Sequence, residues 1–309
     1  MTAIPVLDLT DRNIDRAFVK AYSNVGFAYF VGHGICPKLR QSLFDVSKVF
    51  HALPESEKNK VAVDRNHRGY IGMASSTDVN STLAEVNKPN QSASFMMMRE
   101  DAIADRDVYL SGPNQWPDVA QFRDTLERYN QEMCVLADKM MRIALRAIGA
   151  PVEAIEMFTP PTTWLRLLHY PPMPHASPDD LYGSAPHTDF GALTFLATDD
   201  VGGLQVQTPD GREWIDVPPR QDAFVVNVGD MLHRLSNGAL RSTPHRVINK
   251  TGRERYSCPF FYDPHVSATI KPLIGAQTPA FEPMVFGHFL RRELEASYDA
   301  HKPDMDQKT

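Results

Sequence analysis

Three side chains in the second half of the sequence have the types and spacing of a metal-binding set. His187 and Asp189 stand two apart in PHTDFGALTF. On a strand, residues two apart project from the same face, so an imidazole and a carboxylate there would converge on one point. His245, in STPHRVINK, comes far enough downstream for several intervening strands to return it beside that pair. Two imidazoles and one carboxylate on one face of a metal leave three positions open, the arrangement used for O2 chemistry at non-haem Fe(II). A bidentate cosubstrate would take two of these positions and O2 the third. A zinc site more often keeps a single open position in a tetrahedral shell, whereas Mn, Co or Ni would accept the same ligands, since affinity alone selects poorly.

An HxD pair alone is a weak signal, because a surface turn in which His and Asp each bond to backbone explains it as well. Arg255 and Ser257 strengthen it. They follow His245 in RYS, and on a strand they share a face. A guanidinium fork beside a hydroxyl suits a carboxylate, which arginine binds bidentately and with charge assistance.

The elements that must position these residues are legible in outline. From Trp164 to Phe261 the chain runs in short β-like segments split by Gly, Pro, Asn and Asp, among them WLRLLHY, ALTFLAT, GLQVQT, AFVVNV and YSCPFFY. That spacing predicts an antiparallel sandwich or barrel. Upstream, Ile4 to Leu9 and Gly26 to Val31 suit strands. Asp11 to Ser23 reads as a helix with Thr10 or Asp11 as its N-cap. Lys38 to Ala52 carries Leu39, Leu43, Val46 and Phe50 at helical spacing and stops before Pro54. Asp118 to Ile148 predicts a long helix closed by Gly149, with Pro151 beyond. Between these, Asn59 to Asn114 is polar, with little periodicity, and is expected to form loops over a substrate. The tail from Phe281 has helical character. The expectation is one domain over 1–309: a mostly helical part with substrate loops (1–160), a β core (161–270) and a helical tail (271–309).

Composition adds exclusions. The chain has 309 residues, 42% hydrophobic and 23% charged, with a formal charge of −6. That balance argues against nucleic acid or an anionic membrane as the main partner. No apolar run is long enough to span a bilayer, and MTAIPVLDLTDRN lacks the pattern of a secretory signal. The three cysteines, Cys36, Cys134 and Cys258, are too scattered for a disulfide framework or a Cys-based zinc site. A cytoplasmic protein is expected.

Taken together, HTD, PHRV and RYS resemble the isopenicillin N synthase-like branch of the Fe(II)/2-oxoglutarate-dependent dioxygenases. Further pieces agree: IPVLDL at the start, GFAYFVGHGI, GPNQWP, HYPPMP, GGLQV, VNVGDML, LSNG and FFYDP. The resemblance runs from Ile4 to about Phe289. It implies a double-stranded β-helix (jelly roll) framed by helices. It also implies that His187, Asp189 and His245 bind Fe(II), while Arg255 and Ser257 hold the distal carboxylate of 2-oxoglutarate. Tyr170 falls where the family often has a tyrosine bonded to the cosubstrate, although Leu168 replaces the asparagine usual two positions earlier in plant members. The implied reaction is O2-dependent oxidation of a small organic substrate, most simply hydroxylation, with release of succinate and CO2. Two oxidase alternatives need no 2-oxoglutarate: the isopenicillin N synthase and aminocyclopropane carboxylate oxidase types. An ethylene-forming activity and a metal-binding sensor complete the set.

Residues expected to meet the substrate are Arg166, at the same strand parity as Leu168 and Tyr170, with Arg68, Tyr70, Asn80, Phe95, Met97 and Phe261. Arg166 and Arg68 suggest a substrate bearing an anionic group. An arginine at the barrel rim would explain Arg166 equally well. His33, in VGHGI, is read as a structural turn residue.

Overall fold

The computed structural model describes residues 3–77, 88–101, 103–105, 107–174, 176–178, 180–275 and 277–297. Its strands are β1 (Val6–Asp8), β2 (Phe27–Val31), β3 (Gly69–Ile71), β4 (Ala93–Met98), β5 (Thr162–Tyr170), β6 (Ser184–His187) and β7 (Leu193–Thr198), then β8 (Leu204–Gln207), β9 (Trp214–Asp216), β10 (Phe224–Val228), β11 (His245–Val247), β12 (Arg255–Asp263), β13 (Thr269–Ile270) and β14 (Met284–Val285). The α-helices are α1 (Ile14–Tyr22), α2 (Pro37–His51), α3 (Glu55–Lys58), α4 (Phe122–Ala147), α5 (Asp230–Leu235) and α6 (Phe286–Ser297).

Eight strands form the larger sheet in the order β1-β2-β10-β7-β12-β5-β4-β3, and four form the smaller in the order β6-β11-β8-β9. Only the β1–β2 pair among these strands is parallel. The two sheets close on each other as a jelly roll, with Phe27, Leu168, Val206, Val225 and Val247 packed between them. The other face of the larger sheet lies under α1, α2 and α4 in the main apolar core.

Period-2 alternation decides which side chain goes where. On β12, Cys258, Phe260 and Tyr262 enter the helix-side core, while Arg255, Ser257, Pro259, Phe261 and Asp263 face the space between the sheets. On β5, Leu165 and Leu167 go to the helices, and Trp164, Arg166, Leu168 and Tyr170 face inward.

Most expected elements are present, with differences at two places. Helix α1 is entered through Asn13 without a side-chain cap, and Asp8 instead binds the N–H and hydroxyl of Thr10. The polar stretch 59–114 holds more than loops: β4 is buried at every position and pairs with β5. Gly149 does follow α4 as expected, in a left-handed conformation at φ 75°. Polar side chains pin the 59–114 segment. Asn114 takes the N–H and carbonyl of Met98. Arg68, only 1% exposed, donates to the carbonyls of Asn66, Leu110 and Arg99. Among the described residues no helix is long and apolar enough to cross a membrane.

Replacing Arg68 by alanine strands three backbone acceptors, that of Leu110 in the buried interior. Urea denaturation of Arg68→Ala is expected to show a loss of about 3 kcal/mol. A loss below about 0.5 kcal/mol, the range of an ordinary surface substitution, would show that these bonds do not hold the segment.

Candidate metal centre

His187 ends β6 and His245 begins β11, and antiparallel register sets them directly opposite each other. Their ring centroids lie 4.3 Å apart. Asp189 follows in the turn leading to β7. Its Oδ1 is 3.8 Å from His187 Nε2 and 3.6 Å from His245 Nε2. One ligand atom from each residue lies within 4.8 Å of the others, a grouping that could hold a metal ion.

Neighbouring groups orient all three. His187 Nδ1 is 2.7 Å from the carbonyl of Ala185, and His245 Nδ1 is 3.2 Å from that of Thr243. A ring nitrogen that donates to a carbonyl fixes the tautomer and leaves Nε2 as the ligand. The ring of Phe27 packs edge-on against His245 at 5.2 Å. Asp189 Oδ2 accepts bonds from Thr194 Oγ1 at 2.5 Å and Asn227 Nδ2 at 2.7 Å. Thr194 and Asn227 are themselves partners across β7 and β10, so one rung of the larger sheet fixes one carboxylate oxygen and leaves Oδ1 for the imidazoles' side. Burial pushes the Asp189 carboxyl up, but His245, His187 and the bonds from Asn227 and Thr194 outweigh it and hold it below its ordinary value. Two imidazoles and a carboxylate, each already oriented, fit a divalent transition metal.

Arg255 and Ser257 line the same cavity, of about 140 Å³. Arg255 is 1% exposed and pairs with Tyr170 across β12 and β5, its guanidinium 4.7 Å from the centre of the Tyr170 ring. Nη1 donates to Ser257 Oγ at 3.3 Å, while the buried Nε meets no acceptor. Leaving a charged donor buried without an acceptor is costly. A ligand carboxylate arriving from the cavity would supply one, and so the site fits the distal carboxylate of 2-oxoglutarate.

The expected substrate residues separate into two groups. Arg166 and Phe261 line the cavity. Arg166 Nη2 donates to Ser94 Oγ at 2.9 Å, and Phe261 packs edge-on to Trp164. Four others do not reach it. Arg68 is spent on the three carbonyls described above. Tyr70 packs on Phe50, with its hydroxyl 3.3 Å from Glu55. Phe95 packs among Phe50, Phe122 and Trp116. Met97 lies opposite Leu165 on the helix-facing side. For the two β4 residues strand parity is the reason: Met96, which stands between Phe95 and Met97, is the one that lines the cavity. Asn80 lies outside the described residues.

Sequence reasoning missed Thr194, Asn227, Trp164 and the helix face carrying Leu290 and Leu294, which also lines the cavity. Trp164 was within reach, since it shares parity with Arg166. Asn227 was marked only by being the one polar residue inside the apolar run FVVNV. His33 is the turn residue expected, accepting the Ile35 N–H on Nδ1 at 3.1 Å.

Asn227→Ala frees Asp189 Oδ2 from one of its two donors. Anaerobic Fe(II) titration is expected to show affinity lowered by about 10-fold or more, with His245→Ala weaker still. Unchanged affinity in both variants would remove this cluster as the metal site.

Comparison with known proteins agrees with this geometry. The model of the 2OG-Fe(II) oxygenase superfamily matches residues 161–264, and the non-haem dioxygenase in morphine synthesis N-terminal model matches residues 4–119. The chain is 36% identical over 264 residues to the 2-oxoglutarate-dependent dioxygenase citB of Monascus ruber, covering 82% of this chain and 79% of that protein. It is 35% identical over 309 residues to the 2-oxoglutarate-Fe(II) type oxidoreductase hxnY of Emericella nidulans, covering 92% and 85%. Among solved structures, a full-length Neurospora crassa protein in complex with alpha-KG and thymine superposes with a TM-score of 0.81 at 27% identity, covering 95% of this chain and 97% of that one. Identity of this degree reaches across both the β core that carries the ligands and the segment that precedes it. The chain therefore belongs to the 2OG-Fe(II) oxygenase superfamily, and it is a dioxygenase that uses Fe(II), 2-oxoglutarate and O2 to oxidise a small organic molecule.

Proposed function

We infer that His187, Asp189 and His245 hold the Fe(II), that Arg255 and Ser257 take the distal carboxylate of 2-oxoglutarate above the Tyr170 ring, and that the substrate is a small carboxylate met by Arg166. The observation that carries the cosubstrate assignment is the buried Arg255 guanidinium, with an unsatisfied Nε, in one cavity with the three ligands. When bound, iron with 2-oxoglutarate and O2 supplies the oxidising power for hydroxylating a C–H bond, with succinate and CO2 released.

The chain's own residues do the rest. Ser257 and the Tyr170 ring fix the plane of the guanidinium, so an anion meets a donor fork already oriented. His187 and His245, tied by Nδ1 to backbone carbonyls, present their other nitrogens without rearrangement. Arg166 offers a cation from β5 among the apolar surfaces of Met96, Trp164 and Phe261. A cation in such a wall favours an anionic group on a flat or apolar body. Leu290 and Leu294 of α6 extend the apolar lining and keep water from the reacting carbon. The thymine held in the Neurospora crassa structure supports a substrate of this small size.

The single domain proposed for 1–309 rests on the larger sheet, which takes β1 to β4 from the first part of the chain and the rest from the second. A cytoplasmic location rests on Cys36, Cys134 and Cys258, all free thiols.

A panel of amino acids and other organic acids, scored for substrate-dependent succinate release coupled to O2 uptake, tests the reading. O2 consumption with substrate while 2-oxoglutarate is neither needed nor spent would sink it. Arg255→Gln is expected to raise KM for 2-oxoglutarate by at least about 30-fold, equivalent to about 2 kcal/mol, with metal affinity retained. Arg166→Ala is expected to raise KM for the substrate about tenfold or more and to leave KM for 2-oxoglutarate within about twofold. Equal turnover of an acid and its uncharged amide would overturn the role of Arg166.

A further inference from the structure

The turn that carries Asp189 is held from two sides. On one side the backbone of the chain entering α5 grips it: Asp230 N–H donates to the carbonyl of Asp189 at 2.8 Å, Met231 N–H to that of Gly191 at 2.8 Å, and Gly229 N–H to that of Ala192 at 3.0 Å. On the other side stands the carboxylate of Asp263, the last residue of β12. Its Oδ1 accepts the N–H of Ala192 at 2.8 Å, and its Oδ2 accepts the indole N–H of Trp164 at 3.1 Å. Asp263 is 3% exposed and forms part of the cavity wall.

The fit between carboxylate and turn is close. A Cβ on Gly191 would lie 1.7 Å from Asp263 Oδ1, so the turn rests directly on the carboxylate and only glycine permits it. Burying a carboxylate without a cation is costly, and a neutral residue of the same shape would fill the same space. What the carboxylate provides is two acceptor oxygens at once, one for the turn and one for the indole. It also links the two halves of the cavity. Asp263 and Arg255 are the opposite ends of β12, on the same inward parity, so one strand sets the separation between the metal-bearing turn and the anion-binding guanidinium.

We propose that Asp263 is a positioning residue, whose carboxylate holds the 189–192 turn so that Asp189 stays aligned with His187, His245 and Arg255. This rests on the reading of Asp189 as a metal ligand. Asp263 acts on the reaction through that alignment, without contact with the reacting atoms.

The donor and acceptor pattern of the clamp gives a test that packing does not. Asparagine has the shape of aspartate but one acceptor. In Asp263→Asn the amide oxygen can serve Ala192 only by turning its NH2 toward the Trp164 N–H, donor against donor. Trp164→Phe removes that second donor. Mn(II), a spectroscopic stand-in for Fe(II), is titrated into the full-length chain anaerobically and followed by electron paramagnetic resonance, with thermal unfolding measured on the same samples. Asp263→Asn is expected to weaken Mn(II) binding by about 10–100-fold, and Asp263→Asn with Trp164→Phe is expected to recover most of that loss. Wild-type Mn(II) affinity in Asp263→Asn would overturn the proposal. So would a double variant that binds no better than Asp263→Asn, which is what a role in packing alone predicts. Asp189→Ala separates the two claims: strong Mn(II) binding there would bring down the metal-site reading and the clamp with it, whereas its loss there alone would bring down only the clamp.

Discussion

Two imidazoles and a carboxylate must meet if one ion is to join them, and here the register between β6 and β11 arranges the meeting. His187 faces His245 across one rung, and the next turn of chain returns Asp189 to within 4 Å of both. Each of the three side chains spends its second polar atom on the protein: two imidazole nitrogens on backbone carbonyls and one carboxylate oxygen on Thr194 and Asn227. The remaining three atoms therefore point at a common place because every other direction is already satisfied. Such an arrangement lowers the reorganisation needed on binding, the general advantage of a site built in advance.

The second half of the cavity follows a complementary logic. Arg255 is buried with a hydroxyl and an aromatic face as its company, an incomplete shell for a guanidinium. On the proposed reading a dicarboxylate would complete that shell, and cosubstrate binding and folding stability would then be linked through one side chain, since whatever binds only the folded state stabilises it.

The sequence revealed residues fixed by short-range spacing. His187 with Asp189, and Arg255 with Ser257, are two apart on strands, and no knowledge of the wider fold is needed to see that they share a face. Helix α2 and the Gly149 end of α4 were legible because apolar spacing and a left-handed glycine are local properties. What stayed hidden depended on contacts made far along the chain. Arg68 and Arg166 look alike as residues, yet the carbonyls of Leu110 and Arg99 claim one and the cavity receives the other. Met96 to Met98 read alike as core and pocket-lining residues, and which of them faces the cavity is hidden because β4 lies in a polar stretch whose strand boundaries set the parity. Thr194 and Asn227 gain their role only when β7 and β10 pair.

The inward and outward alternation along β12 has a bearing on how such chains diversify. Inserting or deleting one residue between Arg255 and Asp263 would send one end of the strand to the wrong side of the sheet, placing a guanidinium or a carboxylate among the phenylalanines beneath the helices. A length change in that strand would break the cavity, whereas the segments carrying Ser76, Asn90 and Met96 and helix α6 reach the same cavity without setting its spacing. New substrates are therefore expected to arise by redrawing those outer segments around an unchanged nine-residue rail.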